Sequence, residues 1–182
     1  MNGVLASDWL HEKGLEASPL SFHLAMSNYS TLEALSRWPD LNGSGLMVVV
    51  DGRKTPWLYG TRQSPRTDPE FQIERRNGFD ELLNCEDEVI RGFALCSHFQ
   101  KTKTECKNYG SYRAKHLAEN VAYTLADGTH LDFSYVSNGA MIVAAIASGF
   151  HLYAGDHGRL NPSFNLSKRS INNLAKFDRR EH

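Results

Sequence analysis

Apolar side chains recur at helical spacing along much of this chain. Val4, Leu5, Trp9 and Leu10 share one helix face, and Leu32, Leu35 and Trp38 repeat the spacing in STLEALSRW. In that run Ser30 or Thr31 can cap, Glu33 sits in the first turn and Pro39 stops the helix. GLMVVVD, Gly45 to Asp51, is a β-branched run bounded by glycine and by Asp51-Gly52, so it predicts a buried strand. Thr55 to Tyr59 then predicts its hairpin partner, confined to an edge by Pro56. Gly60 to Gly78, carrying Pro65, Pro69 and four arginines, reads as a linker or mobile loop.

Leu82, Leu83, Val89, Ile90, Phe93 and Leu95 predict a helix from Phe79 to about Phe99, with Gly92 as its expected breaking point. SYRAKHLAE opens another with Ser111 as N-cap, expected to reach about Leu125 and to bury Tyr112, Leu117, Val121 and Leu125. Asp127-Gly128 turns the chain, and THLDFSYV alternates Leu131, Phe133 and Tyr135 in strand fashion. Ser137-Asn138 caps AMIVAAIAS, which stops at Gly149 and whose alanines let a neighbouring backbone come close. Ser167 caps a last short helix with Ile171 and Leu174 inward. The sum is an α+β fold, helix-rich, with a small β element and a C-terminal helical subdomain. Residues 1–78 form an acidic α/β part ending in the Pro/Arg-rich loop, and residues 79–182 a basic, mainly helical part.

Composition narrows the class. With 182 residues, 41% of them apolar and 23% charged, the chain can bury a sizeable core. Its start holds no apolar run of signal-peptide length, and its longest low-charge stretch, Phe133 to Leu152, is interrupted by polar residues and glycines; neither export nor a membrane span is expected. Three cysteines, Cys85, Cys96 and Cys106, cannot all pair within one chain, which fits a reducing cytoplasm. Charge is unevenly placed: residues 1–90 hold 8 Lys+Arg against 14 Asp+Glu, and residues 91–182 hold 12 against 7. That polarity suits an anionic partner for the second half, or attraction between the halves within the fold or across a homodimer.

Candidate chemistry concentrates at one place. Tyr112, Lys115, His116 and Glu119 lie three or four residues apart and share a helix face. Packed against the N–H groups of a helix opened by Ser137, Asn138 and Gly139, they would converge on a phosphate or carboxylate, with His116 as acid or base and Glu119 orienting it. The plainer alternative is a solvated Lys115–Glu119 pair beside a packed His116 bonded to a backbone carbonyl. Cys96, His98 and Cys106, with Cys85 as a fourth ligand, sketch a metal site but lack a paired C-x2-C knuckle, so no metal is expected. No P-loop, dinucleotide fingerprint or G-x-S-x-G occurs, and no cofactor is implied. For nucleic acid the candidates are Lys101, Lys103 and Lys107 in a basic connector, and Lys168, Arg169 and Lys176 on a helix following residues 140–148, although the connection is long for a helix-turn-helix.

The tracts Ser111-Tyr112, Lys115-His116, Glu119, then Tyr135-Val136-Ser137-Asn138-Gly139, Ile142, Ala144-Ala145, Gly149-Phe150, and Asn161-Pro162, Phe164-Asn165, Ser167 resemble a pattern in small uncharacterised proteins of bacteriophages and integrated mobile elements. Where those proteins typically read SYGLKH, this chain has Arg113-Ala114 in place of Gly-Leu. The resemblance spans about residues 105–175 and leaves residues 1–90 unmatched. It implies a genomic context, a cargo protein in a bacterial cytoplasm, and carries no catalytic residue across. The expectation is therefore a non-catalytic accessory protein binding a host protein or nucleoprotein complex, an inhibitor of a nucleic-acid-guided defence system (anti-CRISPR-like). A DNA-binding regulator using the basic half, and an enzyme acting on a nucleotide or phosphorylated small molecule at Lys115, His116 and Glu119, are the alternatives.

Overall fold

The computed structural model describes residues 30–46, 49–50, 53–54, 69–124, 130–154 and 160–178. The expected helix around Val4 to Leu10, the strand Thr55 to Tyr59, residues 60–68 of the expected linker and the Asp127-Gly128 turn lie outside them. Helix α1 covers 30–37 and ends before Pro39, as its proline stop requires. Strands β1 (Val49–Val50) and β2 (Arg53–Lys54) pair antiparallel, with Val49 opposite Lys54 and Val50 opposite Arg53. Then come α2 (Pro69–Leu83), α3 (Glu86–Ser97) and α4 (Ser111–Glu119). Strands β3 (Tyr123–Thr124) and β4 (His130–Leu131) pair next, followed by α5 (Asn138–Ala147). Strands β5 (Leu152–Tyr153) and β6 (Ser163–Phe164) and helix α6 (Lys168–Asp178) complete a helix-rich α+β fold. Among the described residues no helix is long and apolar enough to cross a membrane.

Helix α5 is the centre of this arrangement, because every residue from Asn138 to Ala145 is buried. Ser137 caps it, its hydroxyl accepting the Ala140 N–H at 3.2 Å, and Gly149, at φ 77°, follows its end. Burial of Met141, Ile142 and Val143 contributes about 1.5–3 kcal/mol for each side chain. Helix α3 lies along α5 at Gly92, where an added Cβ would stand 2.5 Å from the Cβ of Ala144. Gly92 was expected to break the helix. It instead lets α3 and α5 approach at Ala144, and packing outweighs the roughly 1 kcal/mol that glycine costs in a helix interior. The break falls at Asn84 and Cys85, where the Asn84 amide donates to the Asp80 carbonyl and the Cys85 thiol to that of Leu82. Glu86, Asp87 and Glu88 then occupy the first turn of α3, where the helix dipole favours carboxylates.

Further elements differ from what local patterns predict. The linker drawn from Gly60 to Gly78 is helical from Pro69 onward, with proline at the first position, where its missing N–H costs nothing. The division placed at residue 78 thus falls inside α2, and one buried cluster takes in Ala34, Leu35 and Leu41 together with Leu82, Ile142 and Ile171. Helix α4 stops at Glu119, not Leu125: the Asn120 side chain donates to the His116 carbonyl, and the chain leaves to pair β3 with β4. Its N-cap is Gly110, not Ser111, whose N–H is drawn instead to the Pro162 carbonyl at 2.7 Å. Of the strand expected over residues 129–136, only His130–Leu131 is paired.

Candidate functional site

Helix α4 carries Lys115, His116 and Glu119 on one turn, and the structure joins all three. Lys115 Nζ donates to Glu119 Oε1 at 2.8 Å, and His116 Nδ1 stands 2.6 Å from Glu119 Oε2. The Val136 N–H, just ahead of α5, also donates to Glu119 Oε1, at 3.2 Å. One residue on, the Ser137 N–H donates to Glu88 Oε2 of α3 at 2.7 Å. Two carboxylates from different helices therefore hold the entry to α5, where its dipole favours negative charge. Burial alone would raise the Glu119 pKa, but the hydrogen bonds from Lys115, Val136 and His116, with the Lys115 charge, together hold it below the usual value.

This pair is not a solvated one. The Lys115 side chain keeps 8% of its exposure and Glu119 17%. Two aromatic rings cover the ammonium: Tyr135 with its centroid at 4.7 Å and Tyr112 at 5.4 Å. His116 is bonded to a carboxylate, not to a backbone carbonyl, and meets the Tyr112 ring edge-on at 4.6 Å. With Glu119 ionised, Nδ1 carries the proton of their bond and Nε2 is the ring nitrogen outside it.

The expected anion pocket has a different content. Lys115, His116 and the backbone ahead of α5 do converge on an anion, but that anion is Glu119 itself. The next N–H groups are also engaged: Gly139 donates to the Gly43 carbonyl at 3.0 Å and Ala140 to Ser137. Asn138 is buried, and its amide nitrogen faces the Ser44 and Leu160 carbonyls and the Asn161 side chain at 2.9–3.0 Å. It thereby ties two chain segments, around Ser44 and at Leu160-Asn161, to α5. Backbone approaches backbone there: a Cβ on Gly139 would stand 2.1 Å from the Asn42 carbonyl oxygen, and one on Gly45, at φ 137°, 2.0 Å from that of Leu160. Of the expected anion-binding set, Ser137, Asn138 and Gly139 are internal joints, and Tyr112 and His116 face outward.

Residues that sequence reasoning did not assign to the site complete it. Glu88 stood in an acidic cluster with no marker to separate it from Glu86 or Asp87. Phe133 and Tyr135, read only as alternating strand residues, are 60% and 62% exposed, and Tyr112, a member of the expected site that was also to supply apolar contacts, is 51% exposed. Alternation with Leu131 fits either face of a strand, so that pattern holds no signal for exposure.

The metal sketch is not assembled. The Cys85 thiol bonds to the Leu82 carbonyl, and Cys96 is buried beside Ser148. Burial pushes both thiols up to about 12, with Glu88 and Glu81 adding to the rise at Cys85. His98 is exposed, and among the described residues no three His, Cys, Asp or Glu side chains gather as ligands. Of the two helices of the helix-turn-helix outline, α5 is enclosed by the core and α6 carries exposed Lys168 and Arg169. The basic candidates Lys101, Lys103, Lys107, Lys168 and Arg169 are all exposed, and Lys176 falls within α6. Comparison with protein-family models, curated proteins and solved structures finds no match to this chain.

Proposed function

We propose that the chain is a non-catalytic accessory protein of a bacteriophage or mobile element that acts in the bacterial cytoplasm by binding a host protein or nucleoprotein complex, such as a nucleic-acid-guided defence machine. The observation that carries this reading is the pairing of a closed polar cluster with an open aromatic surface above it. A catalytic constellation needs groups free to meet a substrate. Here Lys115 and Glu119 are consumed by each other and by Val136. Tyr112, Tyr135 and, two residues before the latter, Phe133 keep more than half of their surfaces exposed, and such aromatics dominate protein interfaces. The buried Lys115 fixes both tyrosine rings from beneath.

The test is affinity capture from bacterial lysate with the full chain, then titration against the recovered complex. Tyr135→Ala with Phe133→Ala should weaken binding by tenfold or more, the size of one interface hot spot. Recovery of no stoichiometric complex, or loss of a measured turnover in His116→Ala, defeats the reading. A second reading, nucleic-acid binding by the basic half, is favoured by one observation: cations from two distant tracts, Lys101 and Lys103 on one side and Lys168 and Arg169 on the other, sit on neighbouring segments.

A further inference from the structure

We infer that the loop 98–107 and the exposed face of α6 together form a site for the phosphodiester backbone of nucleic acid; this deepens the second reading and rests on it. The two segments are separated by more than 60 residues, and hydrogen bonds lay them side by side. The Thr102 N–H donates to the Asn165 carbonyl at 2.8 Å, the Asn165 side chain returns a bond to the Thr102 carbonyl at 2.9 Å, and the Ser167 N–H donates to the Gln100 carbonyl at 2.8 Å. Ser170 completes the clamp, its hydroxyl accepting the Gln100 N–H and donating to the Ser167 carbonyl. Lys101 and Lys103 are thus held next to Lys168 and Arg169 by main-chain bonds that do not depend on the charges.

Three of those cations have no charged or aromatic partner among the described residues, and the fourth, Lys101, places its Nζ 5.3 Å from the centroid of the Phe150 ring. No ion pair reaches Lys101, Lys103, Lys168 or Arg169 among the described residues. The single acidic residue of the loop, Glu105, accepts the Ser163 hydroxyl, and residues 160–174 contain no Asp or Glu. Next to Arg169 a cleft of about 420 Å³ is lined by His98, Gln100, Ser170, Asn173 and Leu174. Its lining is mostly polar, with the Arg169 guanidinium and the Gln100 and Asn173 amides as donors beside Leu174. Helix α6 buries Ser170 and Ile171 and exposes Lys168, Arg169, Asn172 and Asn173, a face of cations and amides.

The chemistry favours nucleic acid over an acidic protein segment. Protein interfaces centre on large apolar or aromatic anchors, whereas nucleic-acid interfaces are more polar and strongly positive. Among the described side chains the exposed large apolar ones, Leu32, Ile73, Tyr112, Phe133 and Tyr135, all lie outside these two segments. Lysines reach phosphates as point charges, arginine grips them in a fork, and asparagine and glutamine amides add donors to phosphate or sugar oxygens.

The experiment measures fluorescence anisotropy of the full chain with a labelled mixed-sequence DNA duplex, the matching single strand and an RNA duplex, from about 50 to about 200 mM salt. If about four phosphates are neutralised, log affinity should fall against log salt with a slope of about −3.6 on duplex DNA. Lys168→Glu with Arg169→Glu, and separately Lys101→Glu with Lys103→Glu, should each weaken binding at least tenfold and flatten the slope by about 2, since each lost phosphate contact removes about 1. Circular dichroism melts confirm that the variants fold, and Leu32→Ala, at an exposed side chain outside both segments, should bind like the unaltered chain. The ratio among the three nucleic acids tells whether the face takes duplex or single strands. If the unaltered chain binds and both charge reversals bind equally well, this face is not the site, while the nucleic-acid reading stands. If the unaltered chain binds none of the three at the lowest salt, both fall. Binding of polyglutamate with the same sensitivity to the reversals, and of no nucleic acid, makes the face an acidic-protein site and overturns the inference.

Discussion

The polar junction where α4 meets the start of α5 and the basic face of loop 98–107 with α6 use similar residue types to opposite ends. At the junction Lys115, His116, Glu119 and Glu88 find their partners within the chain, and two tyrosine rings cover the lysine. On the basic face the segments are held by backbone bonds, and the cations project from them without an ion pair among the described residues. Burial explains the contrast. A charge removed from water must be paired, because its desolvation costs several kcal/mol, whereas an exposed lysine is already solvated. A cluster of charged residues therefore marks a binding surface only where the fold has left its charges unspent.

The contrast can be broken most severely at the joints that hold the junction together. Gly45→Ala places a methyl group 2.0 Å from the Leu160 carbonyl oxygen at a φ of 137°, and Gly139→Ala places one 2.1 Å from that of Asn42. Neither contact has a flexible side chain to move away, so each substitution should cost about 4 kcal/mol or more in urea unfolding. The buried pair comes next. Glu119→Gln keeps an acceptor for the Val136 N–H but leaves the Lys115 ammonium without its counter-ion, at a cost of about 3 kcal/mol. Adding Lys115→Met should recover part of that loss, since it removes the orphaned charge; a double mutant no more stable than Glu119→Gln would show the pair to be uncoupled.

Acid provides a milder version of the same test. Glu119 has a lowered native pKa, so its contribution is complete above the ordinary carboxylate value of 4.5 and is lost as pH falls through the lower native value. The unaltered chain should lose stability below pH 4.5 more steeply than Glu119→Gln in thermal melts across that range. The smallest effect belongs to the basic face. Lys168→Ala and Arg169→Ala should each shift unfolding by less than about 0.5 kcal/mol, as expected of exposed side chains with no partner to strand. A large loss there would mean that these cations are structural, and the distinction between the two regions would disappear.

Much of the fold was legible from neighbouring residues. The Pro39 stop, the Ser137 cap and the end of α5 near Gly149 follow from local backbone chemistry: a missing N–H, a short hydroxyl, a tolerated positive φ. The grouping of Lys115, His116 and Glu119 was equally legible, because helix geometry brings residues three and four apart together. Gly92 misled, since the same residue that weakens an isolated helix permits the close packing of two, and only the Ala144 methyl beside it distinguishes the cases.

The Lys115–Glu119 pairing follows from helical spacing, but its burial, and the partners of the other charges, were not legible. Glu88 reaches Ser137 across 49 positions of chain and Asn138 reaches Ser44 across 94, while Gln100 meets Ser167 through main-chain bonds that any side chain could accompany. Periodicity says that a side chain shares a face with its helical neighbours; it says nothing about what the rest of the chain lays on that face. Lys115 and Lys168 are the same residue on the same kind of element, and one is buried under two rings while the other is open to water. That difference arises when distant segments pack, because desolvation depends on everything that surrounds a charge and not on its neighbours in the chain.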